Sequence, residues 1–404
     1  MENIEKMIEK LPEGYEKAAT ETGGFKQKRE IKTSKDLLKL IFLYIVNGLS
    51  YIEISAIAKV KGIANISDVG FMKRFSKCGK LFKWVLESLK PEATAHYKKP
   101  EKLSEYAVKA LDVSNVSTGG KVRKKYRLHY AIDIFELKSE QYKITPYETG
   151  ESLTNFEIRP GDLYIGDRAY GTKTSMEHCI AGGGDFIFRI RKGAFDIYEA
   201  TEKTKINLID ELKKLGDDDT LDMDCRFINS KKEFVKVRIC AMKKPKNTHE
   251  AIANSGSLRN DTKFMNNYIV VVTSVLDPKI SAKEILDTYR LRWQVELYFK
   301  RLKSLLGFGD MPNKTPGNIE TWLNAKLVAA ILLEITTSEV DFPPLGEDAN
   351  RRSIWRETKF LWLMLCTNII PFNEVMEKFV EIARLLFIEK RCKPERVLQL
   401  VAAC

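Results

Sequence analysis

The spacing of apolar residues changes twice along this chain, and those changes limit the fold more than any other feature. Up to about residue 95 the apolar positions recur at intervals of three and four. Leu37, Leu38, Ile41, Phe42 and Ile45 form one such stripe, the pattern of a helix with one buried side. From Tyr106 the period shortens to two. Tyr126, Leu128, Tyr130, Ile132 and Ile134 alternate with polar or small residues, as on a strand with two unlike faces. Helical spacing returns after Pro278, over Glu284 to Phe308 and then Ile319 to Ile335, Arg352 to Cys366 and Glu374 to Ile388. A strand-rich middle between helical ends excludes both a pure bundle and a pure sandwich, so the expected class is mixed α/β.

The N-terminal helices carry start and stop signals. Ser34 can cap the first, which Asn47 and Gly48 end; Ser50 and Glu53 form a capping box for the next, ahead of Ile54, Ile57 and Ala58. Gly62 then breaks the chain, and Ser67 opens a third helix with Phe71 and Phe75 inside and Lys73, Arg74 and Lys77 exposed. A short helix, a glycine turn and a basic helix suggest a helix-turn-helix-like DNA contact, although a plain helical bundle explains the same apolar spacing. In the middle region strands are expected at Ala107 to Val113, Tyr142 to Tyr147, Leu163 to Ile165, Phe186 to Ile190 and Tyr268 to Val275, with a helix at Ser175 to Ala181. Residues 191–265 differ in character: Phe227 and Ile228, then Phe234, Val235, Val237 and Ile239, flank Asn229 to Lys232 like a hairpin, which suggests a β-rich insertion.

The segment Glu284 to Phe308, taken as one helix, places Tyr289, Arg292, Glu296 and Lys303 within an arc of roughly 60°. Leu291, Val295, Tyr298, Leu302 and Leu305 make a separate apolar stripe. A phenol, two cations and a carboxylate on one face suit metal-dependent phosphodiester chemistry, because the carboxylate can hold a hard divalent cation while the others grip phosphate oxygens. Two further carboxylates end short apolar runs, Asp112 after Ala107 to Leu111 and Asp167 after Leu163 to Ile165. Together with Glu296 they can form an oxygen cage for one or two Mg²⁺ or Mn²⁺ ions. Singly, each has a plainer reading: Asp112 and Asp167 as turn caps, Glu296 as the i,i+4 partner of Lys300. Asp217 to Asp219 read as a solvated turn and His129 as a core histidine; Tyr106 and Lys109 carry no signal.

Lys plus Arg number 67 against 55 for Asp plus Glu, a formal charge of +12, which favours a polyanionic partner, nucleic acid first. The seven cysteines include no C-x-x-C pair, so reduced thiols are expected. The first residues hold no apolar signal region and no apolar run is long enough to span a bilayer. A cytoplasmic protein, nucleoid-associated and without a membrane partner, is expected.

With Asp112, Asp167 and the spacing Tyr289-x2-Arg292-x3-Glu296-x6-Lys303 together, and with Ile-Gly-Asp-Arg-Ala-Tyr-Gly at 165–171, the chain resembles insertion-sequence transposases of the DDE class, in the group with the Tyr-Arg-Glu-Lys signature. The resemblance implies an RNase H-like, integrase-like catalytic core interrupted by the β-rich insertion, with helical N-terminal and C-terminal regions. Its implied boundaries are a helical DNA-binding region at 1–100, core at 101–190, insertion at 191–265, the last core strand and catalytic helix at 266–312, and a helical tail at 313–404. It implies cut-and-paste transposition: cleavage at the element's terminal inverted repeats, through a DNA hairpin, and joining of 3′ ends to target DNA by a homodimer on double-stranded DNA. Asp112, Asp167 and Glu296 would be the catalytic metal ligands, with Arg168, Tyr289, Arg292, Lys300 and Lys303 on the DNA. Relatives stack a flipped base on an aromatic residue of the insertion; this insertion has no tryptophan, leaving Tyr198, Phe227 or Phe234 for that role. Val113 stands where many relatives have glycine. The competing expectations are a non-catalytic or domesticated sequence-specific DNA-binding regulator derived from a transposase, and an RNase H-like nuclease without strand transfer.

Overall fold

The structure, a computed structural model, describes residues 2–26, 29–89, 99–118, 125–136, 138–244, 260–308, 310–312 and 315–338, and positions 356, 359, 360 and 363. The helices expected at Arg352 to Cys366 and Glu374 to Ile388 lie almost wholly outside the described residues. The described residues form two compact units, one of residues 2–89, 115–126 and 298–338, the other of residues 99–114 and 127–297.

The first unit is helical. Its helices are α1 (Glu2–Glu9), α2 (Tyr15–Glu21), α3 (Ser34–Asn47), α4 (Tyr51–Val60), α5 (Asp68–Phe75), α6 (Gly79–Ser88) and, late in the chain, α12 (Pro316–Ser338). Glycine ends α3 as expected, Gly48 taking φ 66°, but the start is set one residue early: Thr33, in extended conformation, accepts from the Asp36 amide, and Ser34 is the first helical residue. The Ser50–Glu53 capping box of α4 forms, and Ser67 caps α5. Tyr44 stacks on Tyr51 at 4.9 Å and meets Phe75 edge-on at 5.1 Å, binding α3, α4 and α5 through aromatic contacts. Leu327, Val328, Ile331 and Leu332 of α12 are all buried, the mark of a helix enclosed by neighbours; it packs on α6, α3, α1 and α5. No described helix is long and apolar enough to cross a membrane.

The second unit is built on a mixed sheet whose order is β3-β2-β1-β4-β5-β9-β8-β7-β6. The strands are β1 (Ala107–Thr118), β2 (Lys125–Asp133), β3 (Lys138–Pro146), β4 (Asp162–Gly166), β5 (Asp185–Arg189), β6 (Tyr198–Glu199), β7 (Thr220–Ile228), β8 (Phe234–Lys243) and β9 (Tyr268–Thr273). A short β10 (Asp310–Met311) pairs in parallel with the far end of β1. β1, β4 and β5 run parallel, and β5, β9, β8, β7 and β6 are successively antiparallel. Every residue of β4 is buried, as befits a central parallel strand covered on both faces. The expected hairpin is β7 and β8. Its strands continue the sheet through β9 instead of closing a separate one.

Strand parity divides the unit's two faces. Leu111, Tyr164, Phe186, Phe188, Val272 and Ile239 point one way and pack with Met176 and Cys179 of α7 (Lys173–Ala181). Ala110, Ile165, Ile187 and Thr273 hold the opposite positions. On that side Arg238 of β8 is bound twice by the Asp222 carboxylate and donates to the Ile280 carbonyl at 2.7 Å, just ahead of α10 (Ala282–Arg290). Two short helices, α8 (Leu208–Lys213) and α9 (Asn260–Asn266), lie between these elements in sequence. Lys109 proves anything but ordinary: it is 3% exposed and paired with Asp162 at 2.7 Å and Glu140 at 3.4 Å.

The helix expected from Glu284 to Phe308 is two helices, α10 and α11 (Trp293–Leu306). Between them the amides of Leu291, Arg292, Gln294 and Val295 each bond three residues back, to Thr288, Tyr289, Leu291 and Arg292. This tight turn replaces α-helical bonding. Thr288 contributes by turning its hydroxyl onto the Glu284 carbonyl at 2.7 Å, a bond that loosens a helix from within. The shared arc of Tyr289 with Glu296 and Lys303, which assumed one straight helix, is therefore broken between Arg290 and Trp293.

Candidate active site

Asp112 and Asp167 are placed by register. Parallel pairing sets Ala110 of β1 opposite Ile165 of β4. Two residues further on stand Asp112, still within β1, and Asp167, just past the end of β4. β4 ends at Gly166, so Asp167 opens a turn, its carboxylate accepting from the Ala169 amide at 2.8 Å. The glycines on either side of that turn are required. A Cβ on Gly166 would come within 2.7 Å of the Tyr170 side chain, and one on Gly171 within 2.2 Å of the Arg189 carbonyl oxygen.

Burial pushes the Asp112 carboxyl up to about 6; the Val113 amide and Arg292 oppose the rise, while Asp167 and Glu296 add to it. Two further carboxylates thus act on Asp112 in its half-buried setting. Arg292 donates to Glu296 Oε1 at 2.5 Å. The partner of Glu296 is therefore the cation four residues before it, not Lys300 four residues after. Burial alone would lower the Arg292 pKa, but Tyr289, Glu296 and Asp112 outweigh it and hold the guanidinium firmly charged. Among the described residues no three carboxylate, imidazole or thiol groups gather closely enough to hold one metal ion.

Arg168 follows Asp167 and feels both it and Tyr289. Its Nη2 donates to Asn266 Oδ1 at 2.7 Å, while its buried Nε has no hydrogen-bond partner. Burial, then Arg189 and Arg191, lower its pKa. Lys244 sits in the same positive field, taken down to about 8 by burial, Arg189 and Arg168. Neither Arg189 nor Lys244 stood out in the sequence, because each ends an apolar strand where a cation reads as ordinary surface. Lys300 and Lys303 are exposed, on the part of α11 that belongs to the helical unit.

The expected core histidine is confirmed in place. His129 is fully buried, bonded to Thr145 at 2.9 Å, and burial lowers its pKa to about 4. Asp217 and Asp219 are exposed, Asp219 closing a turn on the Gly216 amide. Of the aromatic residues considered for a flipped base, Phe227 is 0% exposed and packed at 5.6 Å from Phe195. That expectation is corrected: a ring sealed in the core has no face to offer. Tyr198 and Phe234 are partly exposed and form an edge-to-face pair at 5.4 Å, with Arg226 over Phe234 at 4.4 Å.

Residues 103–332 match the family described as Transposase DDE domain. The chain is similar to the putative transposase InsL for insertion sequence element IS186A of Escherichia coli (strain K12), 25% identical over 360 residues, covering 85% of this chain and 95% of that one. It is equally similar to the transposase for insertion sequence element IS421 of Escherichia coli, 25% identical over 361 residues with the same coverage. The transposase for insertion sequence element IS231F of Bacillus thuringiensis subsp. israelensis is 24% identical over 249 residues, 54% of this chain and 50% of that one.

Proposed function

The chain belongs to the DDE transposase family, and on that premise we propose that it is a cut-and-paste insertion-sequence transposase of the Tyr-Arg-Glu-Lys group. In this reading an RNase H-like core carries Asp112, Asp167 and Glu296 as catalytic residues. The observation that carries it is that Asp167, just past β4, Glu296 and Arg292 all act on the half-buried Asp112 of the neighbouring parallel strand β1.

The donor set is carboxylate oxygen throughout; burial first, then Asp167 and Glu296, raise the Asp112 carboxyl. Oxygen donors of this kind suit one or two Mg²⁺ or Mn²⁺ ions once Glu296 is released from Arg292 and the three carboxylates draw together on DNA. When bound, such ions supply charge neutralisation for in-line attack at phosphorus by water or a 3′-hydroxyl. Arg292 holds Glu296 until DNA arrives and then turns to a backbone phosphate, freeing the carboxylate as a ligand. The unpartnered Arg168 Nε and the Tyr289 phenol complete the grip on the DNA strand. Lys300 and Lys303 extend the contact along α11, and the helices of the 1–100 region bind the terminal inverted repeats.

The reading extends to a hairpin intermediate, with the flipped base on Tyr198 or Phe234, and to 3′-end joining by a homodimer holding two ends. Incubation with end-containing DNA and Mg²⁺ or Mn²⁺ tests it. The native chain should nick and then join ends, and Glu296→Ala should bind the DNA while losing both steps. Binding without cleavage by the native chain would instead mark a regulator, and cleavage without joined products a plain nuclease.

A further inference from the structure

Among the described residues three tyrosines are fully buried: Tyr130, Tyr164 and Tyr170. Tyr130 is bonded to Ser139, and Tyr164 reaches the Asp162 carboxylate at 2.7 Å and the Glu157 carbonyl at 2.9 Å. The buried Tyr170 hydroxyl has no hydrogen-bond partner. Such a hydroxyl weakens the fold, and phenylalanine would fill the same space without that cost. The ring itself is held tightly. It lies on Gly166, where an added Cβ would meet two of the ring carbons at 2.9 Å, and it tilts against Phe188 at 6.3 Å. Leu111, the residue before Asp112, shares its apolar cluster, and the Tyr170 amide donates to the Asp167 carbonyl at 3.1 Å. The phenol is thus lodged beside the part of β1 that carries Asp112 and the turn that carries Asp167.

Burial first, then Asp112, Asp167 and Glu151, raise the Tyr170 pKa well above its ordinary 10, with Arg292 opposing. The hydroxyl therefore keeps its proton and is a donor in the field of three carboxylates. Asp112 is the strongest of the three; its Oδ1 accepts from the Val113 amide at 2.8 Å, which leaves Oδ2 for another donor. We propose that Tyr170 is a positioning residue of the carboxylate site, its phenol donating to Oδ2 of Asp112 and so holding that carboxylate toward a divalent ion. The inference rests on the reading of Asp112 as a metal ligand. It accounts for a hydroxyl kept where the metal-free fold gives it no partner: the bond forms when the carboxylates draw together, and its benefit belongs to the loaded site.

The full chain with Tyr170→Phe tests this, with Tyr164→Phe for comparison. Without metal, Tyr170→Phe should melt no lower than the native chain, since no bond is lost. Its complex with end-containing DNA should bind Mn²⁺ about tenfold or more weakly, read from the EPR signal of free Mn²⁺ against the same DNA alone. The Mn²⁺ needed for half-maximal cleavage should rise by the same factor while KM for DNA stays unchanged. Tyr164→Phe should do the reverse, melting lower through its lost bonds and binding Mn²⁺ as the native chain does. Native Mn²⁺ affinity in Tyr170→Phe, or a metal-free melting temperature lowered as far as in Tyr164→Phe, overturns the proposal. Asp112→Asn separates it from the reading beneath it. If Asp112→Asn abolishes Mn²⁺ uptake while Tyr170→Phe keeps it native, only the role of Tyr170 falls; if Asp112→Asn takes up Mn²⁺ as the native chain does, or the native chain adds nothing to the DNA, both fall.

Discussion

At Asp112 two requirements conflict. The proposed metal site needs a charged carboxylate, yet the fold pushes that carboxyl from its ordinary 3.8 up to about 6. A carboxyl raised on folding favours the metal-free fold at low pH, and that contribution is lost as pH climbs through about 6. Asp112→Asn should therefore stabilise the metal-free protein at pH 7, by on the order of 1–3 kcal/mol, while removing divalent-ion binding; parallel melts with and without Mn²⁺ would show opposite signs. For the native chain Mn²⁺ affinity should rise with pH across the same window, since the ligand must shed its proton. A flat profile between pH 5 and 7 would remove Asp112 from the site. At Gly171 the requirement is spatial: Gly171→Ala drives a Cβ onto the Arg189 carbonyl and should cost about 1–3 kcal/mol in denaturant unfolding. Asp112 and Asp167 could be singled out in the sequence because each closes an apolar run. That Glu296 pairs with Arg292 and not with Lys300 was not legible, since both lie four residues away along the sequence.

Elements were readable where their ends were marked. The cap signals at Ser50 and Ser67 gave α4 and α5 their starts, and alternation gave β2 and the β7–β8 hairpin. Among the N-terminal helices, α2 and α6 escaped notice for a physical reason: Gly14 and Cys78, their N-caps, make no side-chain capping bond. The break between α10 and α11 was hidden because an apolar stripe at three- and four-residue steps passes smoothly over a tightened turn. α10 itself is held at its start by the reciprocal Ser281–Glu284 capping box. Ser281→Ala should cost about 1 kcal/mol and, by fraying the helix that carries Tyr289, should weaken DNA binding more than a surface change elsewhere. Hydrogen exchange at the first turn of α10 is the direct measurement, and unchanged protection there would refute it.

For the molecule as a whole, the excess of basic residues makes binding to DNA an exchange of counterions for lysine and arginine. Affinity for end-containing DNA should fall linearly on a log–log plot against salt; a flat line would mean that phosphate contacts do not carry the complex. Class and strand-rich middle were visible from period alone. The pairing of β8 with β9 was not, because nothing local in a strand names its neighbour. That pairing has a practical consequence for anyone wishing to trim the protein. β9 lies between β5 and β8, so excising the hairpin to obtain a minimal enzyme would bare a row of amides and carbonyls along Tyr268–Thr273 and invite copies to join one another edge to edge.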